Sequence, residues 1–262
     1  MSDGGSVSFD RAAEFYDATR DVGDEALAGT LGVLERELAG HGRVLEIGVG
    51  TGILALPLAE RGLDLVGMDV SASMMAKLAE KAGGRAPFPL IRADATRLPF
   101  RDGSFGGAYA RHVFHLIPDW RAAAAELCRV VGHGVVLVEA GGSSARWLEL
   151  WNVMREILGP DADHVGFDMH RDGERELDAA FEAAGAGPRP LPEIVYRDDD
   201  TVASYFEDVE RRSPSWTWRI PDEQLQQAIE AGSEWTLERF GTLDVALDET
   251  AKVEWRAYDL DR

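Results

Sequence analysis

Three glycines at alternating positions, Gly48, Gly50 and Gly52, stand directly after the apolar run Val44-Leu45-Glu46-Ile47, and Asp69 closes the next such run, Leu63 to Met68. Glycine lets a backbone take positive φ and approach a ligand with no Cβ in the way. The segment ILALPLAERG after Gly52 reads as a helix, so its first N–H groups point at whatever rests on the turn. A carboxylate at the end of the following strand can accept two ribose hydroxyls. These residue types at this spacing point to a nucleoside-cofactor site. The open question is which nucleoside.

Three chemistries compete for the turn. A phosphate-gripping loop needs GxxxxGK[ST], and no lysine lies between Met1 and Met75. A dinucleotide turn prefers GxGxxG, whose third glycine permits tight helix–strand packing beside a pyrophosphate, but Ile53 holds that place. Glu46, just before the turn, disfavours a diphosphate and suits a cationic amine. A nucleoside carrying an amino-acid-like tail fits this charge layout best.

The elements that position these groups follow a steady rhythm. Residues 8–20 read as a short helix with Phe9, Ala12, Ala13 and Tyr16 on one side, and a second helix covers Glu25 to Leu38. Strands follow at 43–47, 64–68, 88–93, 104–110 and 134–139, with helices at about 53–61, from Ser71, and over RAAAAELCRV. Strands that alternate with helices imply a parallel sheet covered on both faces. Right-handed crossovers place every strand-to-helix loop at one end, so the glycine turn, Asp69, Asp94 and His112 converge. After Gly141 the rhythm changes to helices at 144–158, 174–184, YFEDVERR and 222–240, a late strand near 189–197, and a closing strand KVEWRAYDL. Six of the seven tryptophans lie beyond residue 140, which suits a lid or acceptor pocket built from large apolar surfaces.

Composition narrows the partners. The formal charge of −20, from 47 acids and 27 bases, repels phosphate backbones and anionic surfaces, so a neutral or cationic small molecule is expected and nucleic acid is not. No apolar run approaches the roughly 20 residues of a membrane span. The N-terminus lacks a signal-peptide layout. The single cysteine, Cys128, excludes an internal disulfide framework and suits a reducing, cytoplasmic setting, with a packed thiol as its expected role.

Together the segments VLEIGVGTG (44–52), VGMDVSASMM (66–75), RADATRLPF (92–100) and FGGAYARHVFHLIPDW (105–120), with the leader EFYDATR, resemble the class I S-adenosylmethionine-dependent methyltransferases. The resemblance is to the small-molecule branch related to ubiquinone and menaquinone methyltransferases, and it covers about residues 8–140. It implies a doubly wound α/β fold with a mostly parallel seven-stranded sheet and an antiparallel last strand. It also implies an N-terminal helical cap over 1–40 and a methyltransferase domain over 41–262, with helical insertions at about 142–172 and 200–220 as lid or acceptor pocket. S-adenosylmethionine is then the cofactor, a small molecule the acceptor, and the protein a monomer or homodimer.

Residue by residue, the resemblance places Gly48, Gly50 and Gly52 under the cofactor and the ribose on Asp69, with Val70 beside it. Glu46 favours the methionyl ammonium, Asp94 accepts from the adenine amine, Ala95 offers a backbone N–H to the ring, and Met74 walls the adenine. Arg20 meets the cofactor carboxylate, with Tyr16 on the same closing segment, and Arg111 contacts cofactor or acceptor. Methyl transfer needs a general base only when the acceptor arrives with a proton, and His112 and His115 after the fourth strand are the candidates. His164 and His170 with Asp161, Asp163 and Asp168 invite a metal reading, but the stretch fits no zinc pattern and reads more simply as an acidic loop. The rival readings are an NAD-dependent oxidoreductase and a binding protein that keeps the fold without activity.

Overall fold

The apolar run around Glu46 becomes the central strand of a sheet in the computed structural model, which describes residues 5–14, 16–17, 23–141, 145–197, 199–247 and 250–260. These fall into two units: Met1–Gly141 with Val165–Ile194 and Glu254–Arg262, and Gly142–His164 with Val195–Val253.

The first unit alternates strand and helix: α1 (Gly23–Leu38), β1 (Arg43–Ile47), α2 (Ala55–Glu60), β2 (Asp64–Asp69), α3 (Ala72–Lys81), β3 (Leu90–Arg92), β4 (Gly107–Ala110), α4 (Trp120–Val131) and β5 (Gly134–Gly141). Later in the chain come α6 (Met169–Ala183), β6 (Gly187–Pro190), β7 (Ile194–Tyr196) and β8 (Ala251–Leu260). The sheet order is β3-β2-β1-β4-β5-β8-β6, parallel from β3 to β5, with β8 antiparallel to both β5 and β6. Strand β1 is buried from Val44 to Ile47 and β4 throughout, as strands covered on both faces must be. Small residues let the neighbouring chain come close to β4: a Cβ on Gly106 would lie 1.6 Å from the His41 carbonyl oxygen. Ser71 caps α3 by accepting from Met74 N, and Asp119 caps α4 by accepting from Ala122 N. Cys128 is buried in α4.

The sheet carries eight strands where seven are expected, because the single late strand expected over 189–197 forms as two, β6 and β7. Pro192 lies between them, and a proline cannot donate to a ladder. Two more prolines, at 188 and 190, sit in β6, an edge strand, where they are tolerated. The strand expected over 88–93 pairs only from Leu90 to Arg92. Helix α6 contains a break at Gly173 (φ 70°, ψ 168°), so its regular part starts at residue 174, where the sequence periodicity starts.

The helix expected over 8–20 does not form within the described residues, which make turns between Asp10 and Asp17; Arg20 lies outside them. Side chains anchor this segment instead. The Asp10 carboxylate accepts from Ser71 Oγ at 2.6 Å and Ser73 N at 3.1 Å, and Val7 N donates to the Leu116 carbonyl. Phe9, Ala12 and Ala13 are buried as their spacing suggests.

The second unit is helical: α5 (Ala145–Leu158), α7 (Val202–Glu210) and α8 (Asp222–Phe240) around a core that includes Leu150, Met154, Phe206, Trp216, Leu225 and Ile229. Gly232 lets α8 approach closely, since a Cβ there would lie 2.9 Å from the Phe206 ring. Among the described residues, no helix is long and apolar enough to cross a membrane.

Candidate active site

Parallel β1, β2, β3 and β4 end at one edge of the sheet, and the loops that leave them line an open cleft. Gly48, Gly50, Asp69, Val70, Met74, Ala95, Arg111, His112 and Tyr16 line it, so most of the residues singled out in the sequence converge. Ser6, Val7, Phe9, Met68, Val113, Leu116 and Ile117 complete the wall. Tyr16 meets Phe9 edge-on at 5.6 Å, so the N-terminal segment contributes an aromatic side to the cleft.

The turn needs its glycines. Gly48, Gly50 and Gly52 all hold positive φ, at 68°, 52° and 81°. A Cβ on Gly48 would stand 2.7 Å from Val113 Cγ2, and one on Gly52 2.8 Å from Leu78 Cγ. Gly52 therefore seats the turn on α3 and does not line the cleft, in contrast to its expected place in the floor. Gly50 N donates to Asp69 Oδ2 at 2.9 Å, and Ser71 N to Oδ1 at 2.8 Å, so Asp69 ties the turn to the end of β2. Burial raises the Asp69 pKa, against the hydrogen bonds from Ser71, Gly50 and Val70. A carboxylate has about four acceptor sites, so some acceptor capacity remains for a ligand.

Glu46 does not line the cleft. It is buried beneath the turn, where Tyr109 Oη donates to its Oε2 at 2.7 Å; the two residues are register partners on β1 and β4. Burial pushes the Glu46 pKa up to about 8, the Asp69 charge adds to this, and Tyr109 and Arg111 oppose it. The Tyr109 phenol is raised well above its ordinary value by burial and by the Glu46 charge.

Asp94 also sits behind the wall, with Ala95 in front. Its Oδ1 accepts from Thr96 N at 2.9 Å and Thr96 Oγ1 at 2.7 Å, and its Oδ2 from Ser6 Oγ at 2.8 Å. Burial alone would raise this carboxyl, but the bonds from Thr96 and Ser6 outweigh it and hold the pKa below the usual range.

Arg111 is already paired: its Nε reaches Glu139 Oε2 at 2.7 Å, with both side chains more than nine-tenths buried. Glu139 Oε1 lies 3.3 Å from His112 Nε2. Burial raises the Glu139 pKa, and the Arg111 guanidinium pulls it back. His112 has φ of 51°, one of two non-glycine residues with positive φ among those described. His115 lies outside the cleft; its ring meets that of His112 edge-on at 6.4 Å, and its carbonyl accepts from Gly166 N. Of the acidic stretch 161–170, Asp163 forms a two-pronged pair with Arg155 at 2.8 and 2.9 Å. Among the described residues, no three His, Cys, Asp or Glu side chains are grouped to hold a metal ion.

Sequence reasoning missed Tyr109 and Glu139 as functional partners. Each carried a signal: Tyr109 is the one bulky residue in the strand Gly107–Ala110, and Glu139 ends an apolar run as Asp69 does.

Sequence and fold are both similar to those of known proteins. Residues 45–138 match the family model for a methyltransferase domain. Over that segment the chain is similar to a methyltransferase domain. Demethylmenaquinone methyltransferase of Beutenbergia cavernae is 34% identical over 147 residues, which cover 53% of this chain and 58% of that protein. The chain thus spans under two thirds of that relative. The YcgJ protein of Bacillus subtilis has the same fold, with a TM-score of 0.59 at 21% identity, covering 90% of this chain and 100% of its own. Phosphoethanolamine N-methyltransferase 2 of Haemonchus contortus, solved with phosphomonomethylethanolamine and S-adenosylhomocysteine, aligns at a TM-score of 0.54 and 16% identity over 97% of this chain and 58% of its own.

Proposed function

We propose that this methyltransferase domain binds S-adenosylmethionine in the cleft and transfers its methyl group to a small-molecule acceptor. The observation that carries the reading is the Asp69 latch: one cleft-lining carboxylate fixes the glycine turn through Gly50 N and keeps acceptor capacity in reserve. Adenosylmethionine, when bound, supplies an electrophilic methyl group and a thioether leaving group.

The residues present fit that ligand. Asp69 would take the ribose hydroxyls, with Val70 beside it. Met74 and Ala95 offer apolar surface for the adenine, and Asp94 would accept its amine in place of the Ser6 hydroxyl. The Asp69 carboxyl in the wall favours a ligand with a cationic end, and Arg111, held by Glu139, would turn toward the carboxylate end or the acceptor. Tyr16, with Arg20, would close the cleft from the N-terminal side and exclude water. His112, in the wall, is the group placed to take an acceptor proton. Orientation and a dry, preorganised site supply most of the acceleration in a displacement of this kind. The net charge of −20 supports a neutral or cationic small acceptor over a nucleic acid. The insertions at about 142–172 and 200–220 are proposed, on their composition, as the source of acceptor selectivity.

Isothermal calorimetry of the purified chain with S-adenosylmethionine, S-adenosylhomocysteine and NAD tests this. Micromolar binding of the first two is expected. Binding of NAD alone would replace the proposal with a dehydrogenase.

A further inference from the structure

Arg111, just after β4, has its charge answered and most of its donors unused. Its Nε donates to Glu139 Oε2 at 2.7 Å, and among the described residues no group accepts from Nη1 or Nη2. The side chain is only 9% exposed, yet it lines the cleft, where it is the one Lys or Arg among the described residues of the wall. Glu139 is as deeply buried, and its other oxygen lies 3.3 Å from His112 Nε2, so both of its oxygens are engaged. A guanidinium gripped at Nε is fixed in orientation and offers its Nη1–Nη2 edge, a fork that matches the two oxygens of a carboxylate. Buried donors without acceptors are costly, and a ligand oxygen at that edge would satisfy them.

Strand register decides which part of a ligand reaches the edge. Ile47 of β1 pairs with Met68 of β2 on one side and with Ala110 of β4 on the other. Gly48 therefore stands between Asp69 and Arg111, which lie about 10 Å apart at two strand spacings. An adenosyl group with its ribose on Asp69 and its adenine toward Met74 and Ala95 sends its reactive end past Gly48 toward β4. Two carboxylates could meet Arg111 there, the cofactor's own and the acceptor's. The cofactor's carries an ammonium on the adjacent carbon, which would be pressed against the guanidinium with both Glu139 oxygens already engaged. An acceptor carboxylate with no amine beside it meets no such repulsion.

We infer that Arg111 is the specificity-determining residue for the methyl acceptor, and that this acceptor is a small molecule bearing a carboxylate, which Nη1 and Nη2 grip together. The inference rests on the adenosylmethionine reading of the cleft and narrows its acceptor class. One guanidinium answers one carboxylate, and the net charge of −20 works against further negative groups. A carboxylate balanced by a distant amine satisfies both demands, because the acceptor is then neutral overall. Arg111 anchors and orients it, which sets the proximity that the displacement needs.

The test compares 4-(aminomethyl)benzoate with its primary amide, two molecules of the same shape, by NMR titration of the full chain with and without S-adenosylhomocysteine. The parent should bind the acid about tenfold more tightly, the scale of hydrogen bonds to a charged group. Arg111→Met alone would leave Glu139 buried without its counter-charge, so it is combined with Glu139→Gln. That double variant should lose the preference, and Arg111→Lys, which keeps a point charge without the fork, should retain only part of it. Equal binding of acid and amide by the parent, no binding of either, or a preference that survives in the double variant overturns the inference. Calorimetry with S-adenosylhomocysteine and with S-adenosyl-3-thiopropylamine, which lacks its carboxylate, separates the two sources. The double variant should affect both ligands alike; a loss confined to S-adenosylhomocysteine would give Arg111 to the cofactor and overturn the acceptor assignment. If S-adenosylhomocysteine binds the parent while acid and amide bind alike, only the Arg111 assignment fails. If it does not bind, the cofactor reading falls and takes the acceptor assignment with it.

Discussion

Replacing Glu46 by glutamine should stabilise the fold, and by an amount that grows with pH. The folded chain holds the Glu46 proton up to about pH 8, because burial outweighs the hydrogen bond from Tyr109. The unfolded chain releases it near the ordinary value of 4.5. Between those values the unfolded state binds fewer protons, so this residue lowers stability as pH rises, by about 1.4 kcal/mol per unit. Below 4.5 both states are protonated and nothing is lost; above about 8 both are ionised and the deficit is constant. Glutamine keeps a carbonyl that can accept from Tyr109 and has no proton to lose. Glu46→Gln should therefore gain at most about 3 kcal/mol over the parent at pH 7, less at pH 6, and level off beyond pH 8. Urea unfolding of both proteins at pH 6, 7 and 8.5 measures the difference. A constant difference across that range, or a variant that is less stable throughout, would refute the buried-proton argument.

Asp69→Ala removes the latch and the ribose acceptor together, and calorimetry should show S-adenosylhomocysteine affinity reduced by about 1–3 kcal/mol, the cost of losing buried hydrogen bonds to a charged group; unchanged affinity would take Asp69 out of the site. Gly48→Ala sets a Cβ 2.7 Å from Val113 at a φ of 68°, so it should cost about 1–3 kcal/mol in chemical unfolding and impair cofactor binding, and a variant that matches the parent in both would show the turn to be adaptable. Asp10 caps the start of α3 through Ser71 and Ser73. Asp10→Ala should lower stability by about 1 kcal/mol in thermal melts, and Asp10→Asn by less than half of that, because asparagine keeps an acceptor; equal losses would assign the effect to charge alone.

The sequence carried the sheet well because its strands are buried on both faces and its turns are marked by glycine. Leu45 and Ile47, then Val136 and Val138, leave little choice but a covered parallel sheet, and topology alone brings Gly48, Asp69, Ala95 and His112 to one cleft. Elements held by side chains were less legible. The segment 8–20 has a helical pattern of apolar residues, yet Asp10, with Ser6 and Val7 just before it, spends its hydrogen bonds elsewhere, on α3, Asp94 and Leu116 in turn, and among the described residues the expected helix gives way to turns. Pairing across strands was hidden as well. Nothing in sequence spacing relates Glu46 to Tyr109, or Arg111 to Glu139, because strand register decides both contacts. Asp94 was legible as an acid at the right strand end, but its engagement by Thr96 and Ser6 was not.

The cleft above the glycine turn is proposed as the adenosyl site. A crystal structure of the chain grown with S-adenosylhomocysteine tests it most directly. The ribose hydroxyls should lie on Asp69, the adenine between Met74 and Ala95, and the amino-acid end toward Glu46 and Arg111. A ligand seated away from Asp69, or reversed so that its adenine meets Arg111, would contradict it.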